Sequence, residues 1–276
     1  MEHTMAPGVS PAIPAAEEDR IYRKVGWRLV PLLVVCYVVA YLDRVNVGFA
    51  KLQMLQELQF SETVYGLGAG IFFIGYFLFE IPSNIILHKV GARVWIARIM
   101  ITWGIISACM MFVTSVHMFY FLRFLLGAAE AGFFPGIILY LTYWYPAARR
   151  GRITTFFMTA VPMSGLIGGP ISGWIMSTFH GDHGLSGWQW LFLLEGIPSV
   201  IIGVLVLIYL DDRINKAKWL TANEKAVLIR NIAAEEQNKE DPPIRAALTR
   251  PRVWAMALIY FCLLYTSPSP RDVEES

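Results

Sequence analysis

The chain has 276 residues, of which 56% are hydrophobic and 16% charged, with a net charge of +2 and a mean hydropathy of +0.50. Soluble domains run about 45–50% apolar and about 25% charged, so an ordinary water-soluble enzyme is excluded. The near-zero net charge gives no case for a nucleic-acid binder. Hydropathy makes this a membrane protein.

Residues 1–27 read as a polar cytoplasmic leader ending in a charged cluster. No short apolar run with a small-residue cleavage site precedes the first apolar block, which therefore reads as a start-transfer helix. A helix needs about 20 mostly apolar residues to cross a hydrocarbon core about 30 Å thick. Six stretches qualify: 29–50, 64–87, 94–116, 118–144, 153–179 and 188–210. None alternates with the period of two that a membrane barrel requires. Pro82, Pro135, Pro162, Pro170 and Pro198 lie inside them, which a bundle tolerates because neighbouring helices satisfy the freed backbone groups. The organisation expected is a six-span bundle over 28–210, a cytoplasmic loop over 211–252, and an incomplete seventh span with a polar tail over 253–276.

Nineteen Lys and Arg residues flank the spans on one side, and Lys51 stands alone on the other. The positive side faces the cytoplasm, which puts the N-terminus inside. In the loop, Thr221 followed by Glu224 is a capping box opening an amphipathic helix over 225–236, ended by Pro242 and Pro243. The last apolar run, 253–265, covers only about 20 Å at 1.5 Å per residue, too short to cross. Its polar continuation is unlike the earlier spans, so the natural reading frame is expected to have been lost near Leu263. The chain by itself is then expected not to transport.

The informative residues are charges inside apolar runs. Each costs about 2.5–3.5 kcal/mol near the bilayer centre, so such residues face the bundle interior and are functional candidates. They are Asp43 and Arg44 in the first span, Arg123 and Glu130 in the fourth, Glu195 in the sixth, and Glu80 near the inner end of the second. By helical rise, Arg44 lies about 10 Å inward from Lys51 and Arg123 about 9 Å inward from His117. The two arginines therefore share a level, and Glu130 lies two turns from Arg123 on the same face. Asp43, Arg44, Arg123 and Glu130 are expected to converge in one water-accessible cavity. Arginine forks there suit an organic carboxylate, and buried acids there can bind protons.

Glu195 reads as structural, and Glu80 with Pro82, Ser83 and Asn84 as structural or gating. Gly165, Gly169, Pro170 and Gly173 fit close helix packing through small residues. Trp188 and Trp190 fit an interfacial aromatic anchor, and His180, Asp182 and His183 an outward loop. Cys36, Cys109 and Cys262 sit in apolar runs and suggest neither a disulfide framework nor a zinc site. No phosphate-binding glycine loop is present, so ATP-driven transport is not supported. No cluster with ligand or catalytic spacing argues for an enzyme, a metal or a cofactor.

Six motifs stand together: DRVNVGFA at 43–50, FEIPSNIIL at 79–87, GARVWIARIM at 91–100, RFLLGAAEAGFFPG at 123–136, YLTYWYP at 140–146 and WQWLFLLEGIP at 188–198. With them, residues 25–257 resemble the N-terminal half of a major facilitator superfamily transporter of the anion:cation symporter family. The resemblance implies an all-α polytopic fold, one six-helix half of a twelve-helix transporter built from two inverted three-helix repeats. It implies that Arg44 and Arg123 hold the substrate carboxylate while Asp43 and Glu130 carry the coupled protons. After the second span, His88 stands where the superfamily has an Asp, followed by Lys89, Gly91 and Arg93 at gating positions. Gly169 and Pro170 resemble an antiporter signature, with Trp174 where a second Gly is expected. The implied partners are a small organic anion (a sugar acid, hydroxy dicarboxylate or aromatic acid), protons, the bilayer of the inner or plasma membrane, and a missing C-terminal half. Anion exchange and a channel-like or non-transporting half remain open alternatives.

Overall fold

Apolar runs separated by short polar turns fold here as helices, and no strand occurs among the described residues. The structure, a computed structural model, describes residues 14–236 and 249–266. In order, the helices are α1 (Ala15–Glu57), α2 (Glu62–Val90), α3 (Ala92–Cys109, continued by the 3-10 turn Met110–Phe112), α4 (Val116–Glu130) and α5 (Phe133–Thr142). They continue with α6 (Ala147–Met158), α7 (Ala160–Thr178), α8 (Gly187–Tyr209), α9 (Ala222–Glu236) and α10 (Pro251–Thr266). Two compact units divide the chain, Met1–Ala233 and Ala234–Ser276.

Within the first unit, α3 packs on α8, α2 on α4, and α1 against both α7 and α8. Side-chain caps set the starts of three helices. Ser61 accepts from the Val64 N–H at 3.1 Å, Ser115 from the Met118 N–H at 3.3 Å, and Ser186 forms a capping box with Gln189. The α2–α4 contact depends on glycine: a Cβ on Gly127 would strike the Phe72 carbonyl.

The hydropathy reading needs four corrections. The later part of the polar leader is helical, because α1 starts at Ala15 and runs through Pro31 without a break. The fourth span is not one helix: it stops at Glu130 and restarts at Phe133 across Gly132, whose φ is +81°. Left-handed backbone of this kind costs an L-residue about 1–2 kcal/mol, which glycine avoids. The fifth span is likewise divided, between Met158 and Ala160. Five stretches among the described residues are long and apolar enough to cross a membrane, namely α1, α2, α3 with its 3-10 turn, α4 and α5 taken together over Val116–Thr142, and α8; α7 is not one of them. Its Gly, Ser and Pro residues dilute its hydropathy.

The packing stripe on α7 also differs from expectation. Ser164, Gly168 and Ser172 face inward, and a Cβ on Gly168 would lie 2.8 Å from Leu42 on α1. Gly165 and Gly173 face open space, while Gly169 makes only an ordinary approach to Phe49. Trp188 is not an interfacial anchor. It is fully buried, donates to Glu57 Oε2 at 2.8 Å, and so ties the start of α8 to the end of α1.

At the Lys/Arg-rich end, the capping box forms as the sequence indicates. Glu224 N–H donates to Thr221 Oγ1 at 3.3 Å, and Thr221 N–H donates to the Glu224 carboxylate at 2.8 Å. Lys24 on α1 donates to the same carboxylate at 2.8 Å. Partial burial opposes the charge on Glu224, but the Lys24 ammonium and the Thr221 N–H outweigh it and hold the carboxyl below its ordinary value. Asn231 adds a hydrogen bond to the Tyr22 hydroxyl at 3.2 Å.

In the second unit, α10 has 16 residues and spans about 24 Å at 1.5 Å per residue, less than the hydrocarbon core. The proline stop after α9 and the polar tail beyond Thr266 lie outside the described residues.

Candidate functional site

Consecutive residues on a helix point about 100° apart, and this separates the first pair of charges. Asp43 turns toward α3, where Trp103 Nε1 and Ser107 Oγ, one turn apart, both donate to its carboxylate. Arg44 turns toward α2 and α4, where its Nε donates to Glu130 Oε1 at 3.0 Å and its Nη2 donates to the same oxygen. The four predicted charges are therefore all near the bundle interior but do not meet at one point.

Arg123 is buried on α4. Its Nε donates to the Gly68 carbonyl on α2 at 3.2 Å, and no carboxylate lies within 4.0 Å of it among the described residues. Phe72 links the two arginines. Its ring lies 4.7 Å from the Arg123 guanidinium carbon and 5.7 Å from that of Arg44. Tyr76, one turn further along α2, lies 5.2 Å from Arg44. Two guanidiniums thus approach one quadrupole, each gaining cation–π stabilisation. Of Arg44 and Glu130, the side chain of Arg44 is the more open, 30% exposed against 5%. A guanidinium presents five donors, and among the described residues only the Nε of Arg123 has a hydrogen-bond acceptor. The arrangement therefore offers one arginine occupied by a protein carboxylate and a second with donors to spare.

Glu195, a structural residue by its sequence context, has the least expected surroundings of the site. It is buried on α8 and accepts from Ser172 Oγ on α7 at 3.0 Å, while its Oε2 has no hydrogen-bond partner. Asn46, fully buried one turn from Asp43, has its amide nitrogen 3.5 Å from Asp43 Oδ1 and also faces Glu195 as a donor. The sequence signal available for Asn46 was a polar residue three positions from a buried acid. Trp103 carried no signal beyond its aromatic character.

The possible gating residues scatter. Glu80 is half-buried, and its backbone carbonyl accepts from Asn84 Nδ2 at 2.8 Å. Lys89 is exposed. Gly91 has φ +103° and closes against Asp212, whose carboxylate accepts from the Arg93 N–H at 3.0 Å. Asp212, not a residue on α2, thus supplies the acid at this turn. His88 faces Tyr143, with its Nδ1 at 3.5 Å from the hydroxyl. Gly169 and Pro170 lie on α7.

Comparison with known proteins gives this geometry a context. The sequence model described as Major Facilitator Superfamily matches residues 33–269. Over 249 residues the chain is 57% identical to a protein of Pseudomonas putida provisionally named metabolite transport protein NicT, covering 90% of this chain and 57% of that one. Over 246 residues it is 58% identical to a protein of Agrobacterium vitis provisionally named a tartrate transporter, covering 88% of this chain and 57% of that one. The chain thus spans little more than half the length of these relatives. Among solved structures it resembles a bacterial homologue of the lysosomal transporter Spinster, with a TM-score of 0.60 and 20% identity, covering 73% of this chain and 46% of that one. It also resembles the proton:xylose symporter XylE, with a TM-score of 0.58 and 15% identity, covering 77% and 51%. At such identities the likeness speaks for the fold alone. The helical architecture and the matched sequence agree, and the chain belongs to the Major Facilitator Superfamily of multi-pass membrane transporters.

Proposed function

We propose that this chain is the N-terminal half of a proton-coupled symporter for an organic acid anion, set in the inner or plasma membrane with its N-terminus in the cytoplasm. The observation that carries the reading is the Arg44–Glu130 ion pair beside an Arg123 that, among the described residues, has no carboxylate within 4.0 Å. A substrate carboxylate entering between the arginines takes the unfilled donors of Arg123 and competes with Glu130 for Arg44. Once displaced, Glu130 is a buried carboxylate without a cation. Taking up a proton relieves that cost. Anion binding and proton binding are thereby linked: each favours the other, as thermodynamic reciprocity demands. Asp43, held by neutral donors, is the second proton carrier in this scheme.

The relatives' names as metabolite and tartrate transporters favour a small hydroxy acid as the solute. The second half of the transporter supplies the facing wall of the site and the rocking motion that alternates access. The test is uptake of tartrate into vesicles carrying this chain joined to its second half, with internal pH followed by a trapped dye. Symport predicts internal acidification that depends on tartrate. Uptake with no pH change, or uptake only in exchange for an internal anion, contradicts it.

A further inference from the structure

Arg149 fixes the register of α6 on α1. Its guanidinium donates to Asp19 at 2.6 Å and to Glu18 at 3.1 Å, and it lies 4.4 Å from the centre of the Tyr22 ring. Further along both helices, the Tyr37 and Phe157 rings stack at 4.6 Å. The two helices therefore advance in the same direction from the Lys/Arg-rich end. Between them lies an open cavity of about 720 Å³, within the range of about 300–1,000 Å³ common for small-ligand sites.

The lining of this cavity changes with depth. At its mouth, Glu18 and Asp19 are both spent on Arg149. Arg152 comes three residues past Arg149, and Arg23 four residues past Asp19, and both line the cavity. By helical rise they lie about 4.5 and about 6 Å further along, nearly one level. Both are exposed, and among the described residues neither has a carboxylate within 4.0 Å. One turn deeper, each is followed by an aromatic residue that also lines the cavity. Trp27 follows Arg23 and is 76% exposed, and Phe156 follows Arg152 and is 56% exposed. Pro31 continues the apolar wall on α1.

Two uncompensated guanidiniums at one level, with two exposed aromatic rings about 6 Å further in on parallel helices, match a molecule that is anionic at one end and apolar at the other. A free anion in water uses only the upper part of such a slot. In a bilayer, the Lys/Arg-rich end meets the headgroup layer, where basic pockets between helices take anionic headgroups and aromatic rings sit at the boundary with the hydrocarbon. Guanidinium forks suit phosphate oxygens.

We propose that the groove between α1 and α6 seats one anionic phospholipid, with its phosphate held by Arg23 and Arg152 and its upper acyl chain laid along Trp27, Pro31 and Phe156. The seat is separate from the Arg44–Glu130 pair and does not rest on the symport reading.

The test is native mass spectrometry of the 276-residue chain purified with phosphatidylglycerol or phosphatidylethanolamine at equal concentration, with helix content checked for each variant. One retained phosphatidylglycerol per chain is expected, with phosphatidylethanolamine held more weakly. Arg23→Gln and Arg152→Gln should each lower retention about fivefold or more. Trp27→Ala should lower it as well, whereas Arg20→Gln, which removes an exposed charge outside the groove, should leave it unchanged. Arg152→Lys keeps the charge, so it should retain more lipid than Arg152→Gln and separates a lost contact from a lost fold. Glycerol phosphate, which lacks the chains, should not displace the lipid. Equal retention of the two lipids, a loss in Arg20→Gln as large as in Arg23→Gln, or displacement by glycerol phosphate overturns the proposal. Loss of the lipid when the chain is joined to its second half also overturns it, because that half then occupies the groove. No solute is transported in this experiment, so its failure is distinguishable from failure of the symport reading.

Discussion

Arg44 and Glu130 meet across two helices through two guanidinium N–H groups on one carboxylate oxygen, with Nε at 3.0 Å, while Arg123 beyond the Phe72 ring meets no carboxylate among the described residues. The asymmetry gives the two arginines different tasks. Arg123 is the open seat for an anion, and Arg44 is a seat that must first be vacated. Replacing either by Lys keeps the charge but loses the planar fork. Hydrogen bonds to charged groups contribute about 1.5–3 kcal/mol, so Arg44→Lys and Arg123→Lys should each weaken tartrate binding by about ten- to a hundredfold. Calorimetric titration of the purified two-half protein reads this directly.

Gly132 carries the turn that ends α4 just past Glu130. Its φ of +81° and the nearby Ser83, whose Cβ would lie 2.7 Å from an added Cβ, leave no room for a side chain. Gly132→Ala should cost at least about 2 kcal/mol, combining left-handed backbone strain with the clash. Thermal unfolding in detergent should show the loss, and Ser83→Gly in the same chain should restore part of it.

Trp188 and Trp190 look alike in sequence but should respond differently. Trp188→Phe removes the buried donor to Glu57 and should lower stability by about 1–2 kcal/mol. Trp190 lies at a half-exposed position, with its Nε1 on the Asp182 carbonyl at 3.2 Å, and Trp190→Phe should cost less than half as much. Equal losses in thermal unfolding contradict the clamp assigned to Trp188.

The docking of α9 on α1 should depend on pH. Glu224 has a lowered carboxyl, so its contribution is full above the ordinary Glu value and is lost as pH falls through the lowered one. Because Lys24 is partly exposed, the loss should be small, about 0.2–1 kcal/mol. Hydrogen exchange over residues 222–233 should therefore quicken by a few-fold on acidification, and Glu224→Gln should abolish that step.

Hydropathy made the long apolar helices legible, and the cost of a charge in lipid marked Asp43, Arg44, Arg123, Glu130 and Glu195 as interior residues. The Thr221–Glu224 box was legible because it is local. Pairing was not. Depth along a helix places Arg44 beside Arg123, but the azimuth of each side chain and the reach of an arginine send Arg44 to Glu130 instead. The break at Gly132 was hidden because a single left-handed residue leaves apolar content unchanged. Asn46 and Trp103 became part of the site only through helix packing, which brings α3 and α8 against α1.

The central claim is that an organic anion displaces Glu130 from Arg44 and that the freed acid takes a proton. Calorimetry of tartrate binding to the two-half protein, repeated in buffers of different ionisation enthalpy, counts the protons bound with each anion. Net proton uptake at neutral pH, lost in Glu130→Gln with anion binding retained, is the expected result. Binding without proton uptake, or uptake that persists in Glu130→Gln, contradicts it.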